Sequence, residues 1–351
     1  MLYNHKIKPV IIIFLLVHFL SFGQKSYQIQ TVAFYNLENL FDTINDPDKK
    51  DELSPMMELK SNRSYVYYDK LKKLASVLSE IGKEQNPSPP ALIGIAEAEN
   101  RSVLEDLIAT PPLNKFPYDI VHFDAPDQRG IDVGLLYLKN VFTPIFSQNH
   151  DAELYKDGFK IATRDILLVS GYLNNEKIHL LVNHWPSRRG GAKKSSFLRE
   201  HVAFRDLQIV EEIQQQDPNA KIILMGDFND NPNNKSFKKI LKTEKTKKKT
   251  KTKELFNPFE KMFEKGHNTL TYRNDLFLFD QILFTGSLLS KNNQFKDFRF
   301  YKAGIYNPSY MTLQTGKYKG SPKRSFANGN YTGGYSDHYP VYIYLLKEEH
   351  P

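Results

Sequence analysis

The chain has 351 residues, of which 40% are hydrophobic and 13% aromatic, and its formal net charge is +8. This length and composition are enough for a sizeable apolar core. The absence of cysteine excludes disulfides and lipidation at a cysteine, and argues against a dedicated zinc site. The positive charge favours a polyanionic partner, such as nucleic acid or an anionic surface.

The chain begins with a short apolar stretch. Lys6 and Lys8 precede an uncharged apolar run from Pro9 to Phe22. A basic start followed by about 7–15 apolar residues is typical of a secretory signal peptide, whereas a membrane-spanning helix needs about 20. We therefore predict a signal peptide over residues 1–23, with an uncleaved N-terminal anchor as the alternative. The protein is then secreted or periplasmic, with no stable membrane span after signal removal.

Residues 24–351 contain no Pro/Ser-rich linker and no internal repeat, which predicts a single catalytic domain. Short apolar runs rich in Val, Ile, Leu, Phe and Tyr favour strands, and two stretches show the apolar spacing of helices. The predicted strands are 30–37, 91–96, 132–138, 166–173, 178–183, 222–226, 277–284 and 339–346, and the predicted helices are 67–81 and 197–213. This order indicates an α/β fold with two mixed, mostly antiparallel sheets packed face to face and helices outside.

Three connecting segments have their own character. Residues 174–177 read Asn-Asn-Glu-Lys between two strands, which predicts a hairpin. Residues 235–253 carry a dense lysine run, and such like-charge blocks favour a solvated, disordered loop. Residues 301–331 have weak periodicity and are predicted to form a long loop that shapes the substrate cleft.

Polar side chains recur where apolar strands begin or stop. They are Asn36, Glu38, Glu97, His184, Asp227, Asn229, Asp280, Asp337 and His338. Strand ends are rigid and project side chains into a crevice between loops. Asp227 and Asn229 lie two residues apart, so on an extended chain they face one side while Phe228 faces the other. Hard oxygen ligands such as Glu97 and Asp337 suit Mg²⁺ or Mn²⁺.

Two of these pieces are specific. Gly226-Asp227-Phe228-Asn229 and Ser336-Asp337-His338 resemble motifs of the endonuclease/exonuclease/phosphatase superfamily, in its deoxyribonuclease-like, secreted bacterial nuclease branch. The resemblance extends from about Thr31 to Leu346. It implies a four-layer α/β sandwich with the active site at one edge of its two sheets.

The resemblance also implies a metal-binding group. Glu97 is similar to the family's principal metal ligand, with Asn36 and Glu38 assisting from the first strand. Asp337 resembles a late metal-linked aspartate. The implied cofactor is Mg²⁺, with Mn²⁺ as a substitute.

Further residues resemble the groups that act on the phosphate. His338, oriented by Asp280, resembles the histidine that polarises the attacking water or stabilises the phosphorane. His184 resembles a second histidine that stabilises the phosphate or protonates the leaving oxygen. Asp227 and Asn229 resemble the pair that positions the nucleophile and binds the non-bridging oxygens. Arg164 resembles an arginine that some members direct at the phosphate.

Purely structural roles are the alternatives for several of these residues. His184 lies next to Trp185, and its alternative role is that of a histidine packed in the core. Glu97 and Asp227 also suit a helix N-terminus and a turn, respectively. Asn100 is either a helix cap or a residue that supports the site.

Basic loops suggest the substrate. Arg129 lies on a turn before a strand, and Arg188 and Arg189 follow His184 beside paired glycines. Such loops suit phosphate binding, although exposed basic loops without a ligand are common. We predict a monomeric nuclease that hydrolyses DNA or RNA by in-line attack of an activated water. The alternatives are a phosphoesterase acting on lipid head groups or sugar or inositol phosphates, and a binding protein with a decayed site.

Overall fold

The structure is a computed structural model that describes residues 25–290 and 294–349. The predicted signal peptide and its apolar run lie outside the described residues. Among the described residues, no helix has the length and apolar character that crossing a bilayer requires.

The described chain folds into strands and a smaller number of helices. The strands are β1 (Tyr27–Leu40), β2 (Leu92–Ala98), β3 (Tyr118–His122), β4 (Asp132–Leu138), β5 (Phe142–His150), β6 (Tyr155–Lys156), β7 (Phe159–Lys160), β8 (Ile166–Leu173), β9 (Glu176–His184), β10 (Ile222–Asp227), β11 (Leu255–Phe256), β12 (Leu270–Tyr272), β13 (Asp275–Phe277), β14 (Asp280–Thr285), β15 (Arg299–Ile305), β16 (Phe326–Ala327), β17 (Asn330–Tyr331) and β18 (Val341–Glu348). The α-helices are α1 (Pro55–Glu58), α2 (Arg63–Glu80), α3 (Arg101–Ala109), α4 (Ser196–Gln216) and α5 (Phe259–Glu264). Short 3₁₀ or π-type turns cover Asp51–Leu53, Leu113–Lys115, Ser236–Ile240, Gly286–Leu288 and Ser309–Met311.

Two large sheets, each with six strands among the described residues, form the centre of the fold. The first sheet has the order β15-β18-β1-β2-β4-β3 and the second the order β11-β14-β10-β9-β8-β5. Each sheet contains one parallel pair, β1 with β2 and β10 with β9, and its other pairs are antiparallel. The prediction of two mixed, mostly antiparallel sheets is therefore confirmed.

Buried apolar side chains form three clusters, one between the two sheets and one on the outer face of each sheet. Between the sheets, Phe34 and Val32 pack among residues such as Met225 of the second sheet. On the outer face of the first sheet, α2 buries the apolar stripe that its sequence spacing predicts, and α3, a helix that was not predicted, adds Val103, Leu104 and Leu107 to the same cluster. On the outer face of the second sheet, α4 packs through Val202 and Ile209. Because helices cover the outer faces of both sheets, the molecule is a four-layer α/β sandwich.

The parallel pairs place several strand ends at one edge of the sandwich. β1 and β2 run in the same direction, as do β9 and β10, and each of the four carries a predicted site residue where it ends. Asp280 starts β14 directly opposite Asp227 of β10. His338 comes three residues before β18, which is antiparallel to β1. We call this edge the catalytic end.

Bulges adjust the first two strands at the catalytic end. The pairing of β1 with β2 shifts between Asn36 and Leu40, and that of β2 with β4 shifts between Ala96 and Ala98. Glu97 has a φ of 63° and Glu38 a φ of 49°, a region that non-glycine residues rarely adopt. A bulge changes the direction of a side chain beside a functional site, and here it affects Glu97.

Several predicted connections need correction or refinement. The hairpin between β8 and β9 is confirmed, with a two-residue turn in which both Asn174 and Asn175 have positive φ. Residues 301–331 are not all loop, because β15 occupies the edge of the first sheet and β16 and β17 form a small hairpin. The predicted strand 277–284 is interrupted, so that β13 and β14 belong to different sheets. Asn100 caps α3, accepting from the Val103 amide at 3.1 Å.

The lysine-rich segment 235–253 is more ordered than the prediction of a solvated, disordered loop. It begins with the helical turn Ser236–Ile240, and Lys238 donates to the Glu260 carboxylate at 2.9 Å. Lys247 lies 4.5 Å from the centre of the Phe300 ring. Acidic and aromatic partners distant in sequence thus fix a run that its own composition makes repulsive.

Candidate active site

Asp227 occupies the centre of a buried polar cluster. Its Oδ2 atom lies 3.1 Å from the Asn36 amide nitrogen, which donates to it from the other sheet. The same atom lies 3.6 Å from Nε2 of His184 and 3.8 Å from Nε2 of His338. Burial raises the pKa of Asp227 to about 7, although the charge of His338 opposes this effect. A carboxylate and two imidazoles converge here, as the sequence predicts.

His338 forms a dyad with Asp280. Its Nδ1–H donates to Oδ2 of Asp280 at 2.7 Å, and both side chains are buried. Burial lowers the pKa of His338, but the carboxylates of Asp280 and Asp227 outweigh burial and raise it well above the ordinary value. The Ser336 hydroxyl accepts from the His338 amide and donates to the Asn36 carbonyl at 2.7 Å. This short turn therefore attaches the histidine to β1.

His184 has the opposite electrostatic environment. Burial lowers its pKa well below the ordinary value, and the positive charges of Arg164, Arg129 and His338 add to the effect. Its Nδ1 atom is buried and finds no hydrogen-bond partner among the described residues. Its Nε2 atom faces Glu97 at 3.9 Å and Asp227 at 3.6 Å. The surroundings therefore shift the pKa values of the two imidazoles in opposite directions, that of His184 downward and that of His338 upward.

Glu97 and Asp337 form the more open side of the cluster. Glu97 accepts from the Asn36 side chain at 3.2 Å and from the Asn39 amide at 2.9 Å, and its side chain is 19% exposed. Asp337 is 28% exposed, and its Oδ1 atom lies 3.9 Å from Nε2 of His338. Both carboxylates remain accessible to a ligand.

The environment of Glu38 differs from that expected of a metal ligand. Its carboxylate accepts from the backbone amides of Ser325 and Phe326 and from Nε of Arg324. Burial and the nearby Asp337 charge raise the pKa of Glu38 to about 7. Because its oxygens are engaged by the segment 324–326, Glu38 holds this loop against β1 in the structure.

The donor set fits a divalent cation. Asp227, Asp280 and His338 lie with potential ligand atoms within 4.8 Å of one another, but the hydrogen bond between His338 and Asp280 engages two of these three groups. Glu97 and Asp337 add carboxylates on the open side. Clustered carboxylates repel one another unless a cation or protons intervene, and carboxylate oxygens are the preferred ligands of Mg²⁺ and Mn²⁺.

The position of Asn229 differs from the one predicted from the sequence. The strand β10 ends at Asp227 and Asn229 has a φ of 50°, so the two residues do not lie on one extended face. The side-chain nitrogen of Asn229 donates to the Trp185 carbonyl at 3.0 Å. This hydrogen bond directs the Asn229 side chain to the loop after β9. Phe228 is fully buried against Trp185, as expected. The side-chain oxygen of Asn229 is the part of this amide left for a substrate.

Two of the four predicted arginines are buried or partly buried and two are exposed, and of the exposed pair Arg129 contacts the Asp127 carboxylate at 3.4 Å. Arg164 is buried and donates to the carbonyls of His184 and Trp185, so it supports the loop after β9. Arg188 stacks on Phe279 and donates to the Asn229 carbonyl at 2.8 Å. Arg129 and Arg189 are exposed.

Three basic residues in this region escape sequence analysis. Arg324 connects Glu38 with Asp337, donating to Oδ2 of the latter at 3.1 Å. Lys70 of α2 is fully buried and donates to the Ser325 hydroxyl at 2.6 Å. Arg199 of α4 is also buried. No local signal marks them, because their partners lie far away in the sequence.

Residues 31–347 match the model of the Endonuclease/Exonuclease/phosphatase family. The chain belongs to this family. Its members hydrolyse phosphoester bonds, so the cluster around Asp227 lies in a phosphoester hydrolase. A comparison with curated protein sequences gives no match.

Solved structures of low sequence identity share the fold of this family member. Danio rerio TDP2 complexed with single strand DNA product is 14% identical, with a TM-score of 0.53, over 90% of this chain and 98% of that one. A mannosyl-6-phosphatase of Bacteroides thetaiotaomicron is 17% identical, with a TM-score of 0.53, over 90% and 99%. The human Nocturnin catalytic domain with bound sulfate is 16% identical, with a TM-score of 0.51, over 93% and 98%.

Proposed function

We propose that the protein is a secreted, Mg²⁺-dependent nuclease that hydrolyses phosphodiester bonds of DNA or RNA. The observation that favours nucleic acid is a hairpin beside the catalytic histidine. Leu270 of β12 pairs with His338, and the Tyr339 amide donates to the Thr269 carbonyl at 2.8 Å. The hairpin of β12 and β13 is therefore anchored to the chain segment that carries His338.

The tip of this hairpin presents an aromatic ring and a cation. The ring of Tyr272 is 58% exposed, and the Arg273 guanidinium lies 5.2 Å from its centre. Stacking of a base on an exposed aromatic ring contributes about 1–3 kcal/mol, and arginine also contacts phosphate. The exposed Arg129 and Arg189 add positive charge, so binding should weaken steeply as salt rises.

The two histidines and Asp227 have distinct roles in this proposal. Glu97, with Asn36 and Asp337, would hold a divalent cation, which would supply charge neutralisation for the phosphate. Asp227, whose pKa is raised, orients the attacking water and accepts its proton. Protonated His338 stabilises negative charge on the phosphoryl oxygens, and neutral His184 donates from Nε2.

Sugar phosphates are the second candidate substrate class. The mannosyl-6-phosphatase resembles this chain as closely in fold as the DNA-bound TDP2 does, with the same TM-score of 0.53. The catalytic cluster serves either ester, because both reactions need an oriented water and a stabilised leaving oxygen. The exposed ring at the tip of the Tyr272 hairpin is the reason that nucleic acid is preferred to a sugar phosphate as the proposed substrate.

The experiment is hydrolysis by the 24–351 protein of plasmid DNA, RNA, sphingomyelin, and sugar and inositol phosphates. Each substrate is tested with Mg²⁺, Mn²⁺ or EDTA. The variants are His338→Ala and, as a matched control, His201→Ala, which changes an exposed histidine of α4. We expect metal-dependent nicking of plasmid or cleavage of RNA that only His338→Ala loses. Turnover confined to a sugar phosphate or lipid would refute the nucleic acid assignment and leave the chemistry intact.

A further inference from the structure

The sandwich has a second end, opposite the catalytic one, where the chain enters the fold. β1 starts at Tyr27 and reaches the site at Asn36, and β10 starts at Ile222 and reaches it at Asp227. At about 3.3 Å per residue, the six-residue strand β14 separates Thr285 from Asp280 by roughly 17 Å. The start of the described chain therefore lies away from the catalytic carboxylates.

The last part of the lysine-rich segment, from Lys247 onward, covers this second end. Immediately after β14, the Gly286 amide donates to the Glu254 carbonyl at 2.8 Å and the Ser287 amide donates to the Thr252 carbonyl at 3.0 Å. Lys247 packs over the ring of Phe300, near the start of β15. These contacts locate the lysines of residues 247–253 far from the metal-binding carboxylates, whereas the segment begins at Lys235, close to the loop after β10.

Two acidic side chains at this end are neutralised within the protein. Glu176 pairs with Lys221 at 2.6 Å and with Lys347 at 2.7 Å. Asp297 pairs with Lys221 at 2.9 Å and with Arg299 at 2.6 Å. Asp217 and Glu349 are exposed here without an ion pair among the described residues, and the exposed lysines that also lack one outnumber them.

We define the basic end by five exposed lysines that form no ion pair with any residue in the ranges 25–290 and 294–349. They are Lys177, Lys248, Lys249, Lys253 and Lys296. Lys296 belongs to a segment that also contacts the first strand, since the rings of Phe295 and Tyr27 lie 6.0 Å apart. The basic end thus adjoins the point where the chain enters β1.

We propose that the basic end docks on an anionic lipid bilayer, with the catalytic end facing away from it. Charge complementarity supports this, because unpaired lysines near an anionic leaflet each strengthen binding. The position of residue 25 supports it too where the N-terminal run is kept as an uncleaved anchor, the alternative to removal of a signal peptide. The apolar run from Pro9 to Phe22, with Lys6 and Lys8 before it, precedes that residue by only a few positions. A lipid surface at this end leaves the cleft open to a soluble substrate.

Nucleic acid is the competing partner for these lysines, and the geometry disfavours it. A nucleic acid strand bound at Asp227 would contact the catalytic end of the molecule. The basic end lies at the opposite ends of β14 and β10. The proposal does not depend on which phosphoester is hydrolysed. Its failure is therefore distinct from a failure of the nuclease assignment.

The test is co-sedimentation of the 24–351 protein, which contains both complete sheets, with vesicles of phosphatidylcholine with and without phosphatidylserine. The basic-end variant carries Lys248→Gln, Lys249→Gln and Lys253→Gln. The matched control carries Lys156→Gln, Lys193→Gln and Lys194→Gln, which remove three exposed lysines elsewhere. Thermal unfolding of each variant confirms that the fold is retained.

We expect wild type and control to bind only vesicles that contain phosphatidylserine. The basic-end variant should partition about 100-fold more weakly, while its hydrolysis of a soluble substrate is unchanged. Equal loss in both variants, or no binding of wild type to phosphatidylserine, would overturn the proposal. So would a basic-end variant that still binds vesicles but loses binding to single-stranded DNA, which would assign the lysines to nucleic acid.

Discussion

At the residue scale, charged side chains around the loop 324–326 fix this loop beside the open side of the site. Glu38 is buried against two backbone amides, and Arg324 connects it with Asp337. Lys70 approaches the same loop from α2. Burial lowers the pKa of Lys70 to about 8, while the Glu38 charge opposes this effect. The loop therefore depends on a buried cation that the sequence does not mark.

Replacing Lys70 with Met should destabilise the fold by about 1–3 kcal/mol, because the Ser325 hydroxyl and the Glu38 carboxylate lose a buried partner. Urea unfolding measures the change. Lys72→Met is the matched control, since Lys72 is exposed on the same helix and should change stability by less than about 0.5 kcal/mol. Equal effects of the two substitutions would show that Lys70 does not support this loop.

The residue scale also shows why several of the predicted site residues lie together. Asn36, Glu97, His184, Asp227, Asp280 and His338 lie together because strand ends converge at one edge, which an ordered set of apolar runs predicts. Loop residues do not follow this logic. Asn229 turns to the Trp185 carbonyl and Arg164 to the carbonyls after β9. Their directions depend on partners that only the folded chain supplies.

At the element scale, the eight predicted strands are the inner strands of the two sheets. They are β1, β2, β4 and β18 in the first sheet and β8, β9, β10 and β14 in the second. The missed strands of these sheets are edge strands: β3, β5, β11 and β15. Inner strands are buried on both sides and read as apolar runs. Edge strands are partly exposed, and β5 even contains Pro144, which weakens the signal.

The contact between α4 and the loop after β9 predicts a pH-dependent stability. Trp185 donates from its ring nitrogen to Asp206 at 3.0 Å, and burial raises the pKa of Asp206 to about 7. In the unfolded chain the carboxyl has an ordinary pKa of about 3.9. Between these values the folded form retains a proton that the unfolded form releases. The contribution of Asp206 to stability therefore falls as pH rises from about 4 to about 7.

Asp206→Asn should remove this dependence while keeping an oxygen acceptor for Trp185. The stability of wild type relative to the variant should fall by about 2–4 kcal/mol between about pH 4 and pH 7, and level off above. Urea unfolding of both proteins across this range measures the difference. A constant difference would mean that Asp206 does not titrate in the folded protein.

At the scale of the whole molecule, the two ends of the sandwich have opposite chemistry. Carboxylates gather at the catalytic end and unpaired lysines at the basic end. This separation suits a cation at one end and a polyanionic surface at the other. It also explains why the total charge of +8 says little about the cleft itself.

A divalent cation at the catalytic end should stabilise the folded protein. After EDTA treatment, added Mg²⁺ or Mn²⁺ should raise the Tm, because binding to the folded state alone adds about 2.7 kcal/mol at a hundredfold excess over Kd. Glu97→Gln should reduce this rise. Glu105→Gln, which changes an exposed residue of α3, should keep it. No rise in wild type would contradict a metal site around Glu97.

The central claim is that Asp227 organises hydrolysis between the two histidines. The most direct measurement is the initial rate of phosphoester hydrolysis in saturating metal, on the best substrate of the panel, for Asp227→Asn and for Asp157→Asn. Asp157 is exposed in the turn between β6 and β7. We predict a loss of about 10³-fold for Asp227→Asn and wild-type rates for the control. A rate for Asp227→Asn within about tenfold of wild type would place the chemistry elsewhere.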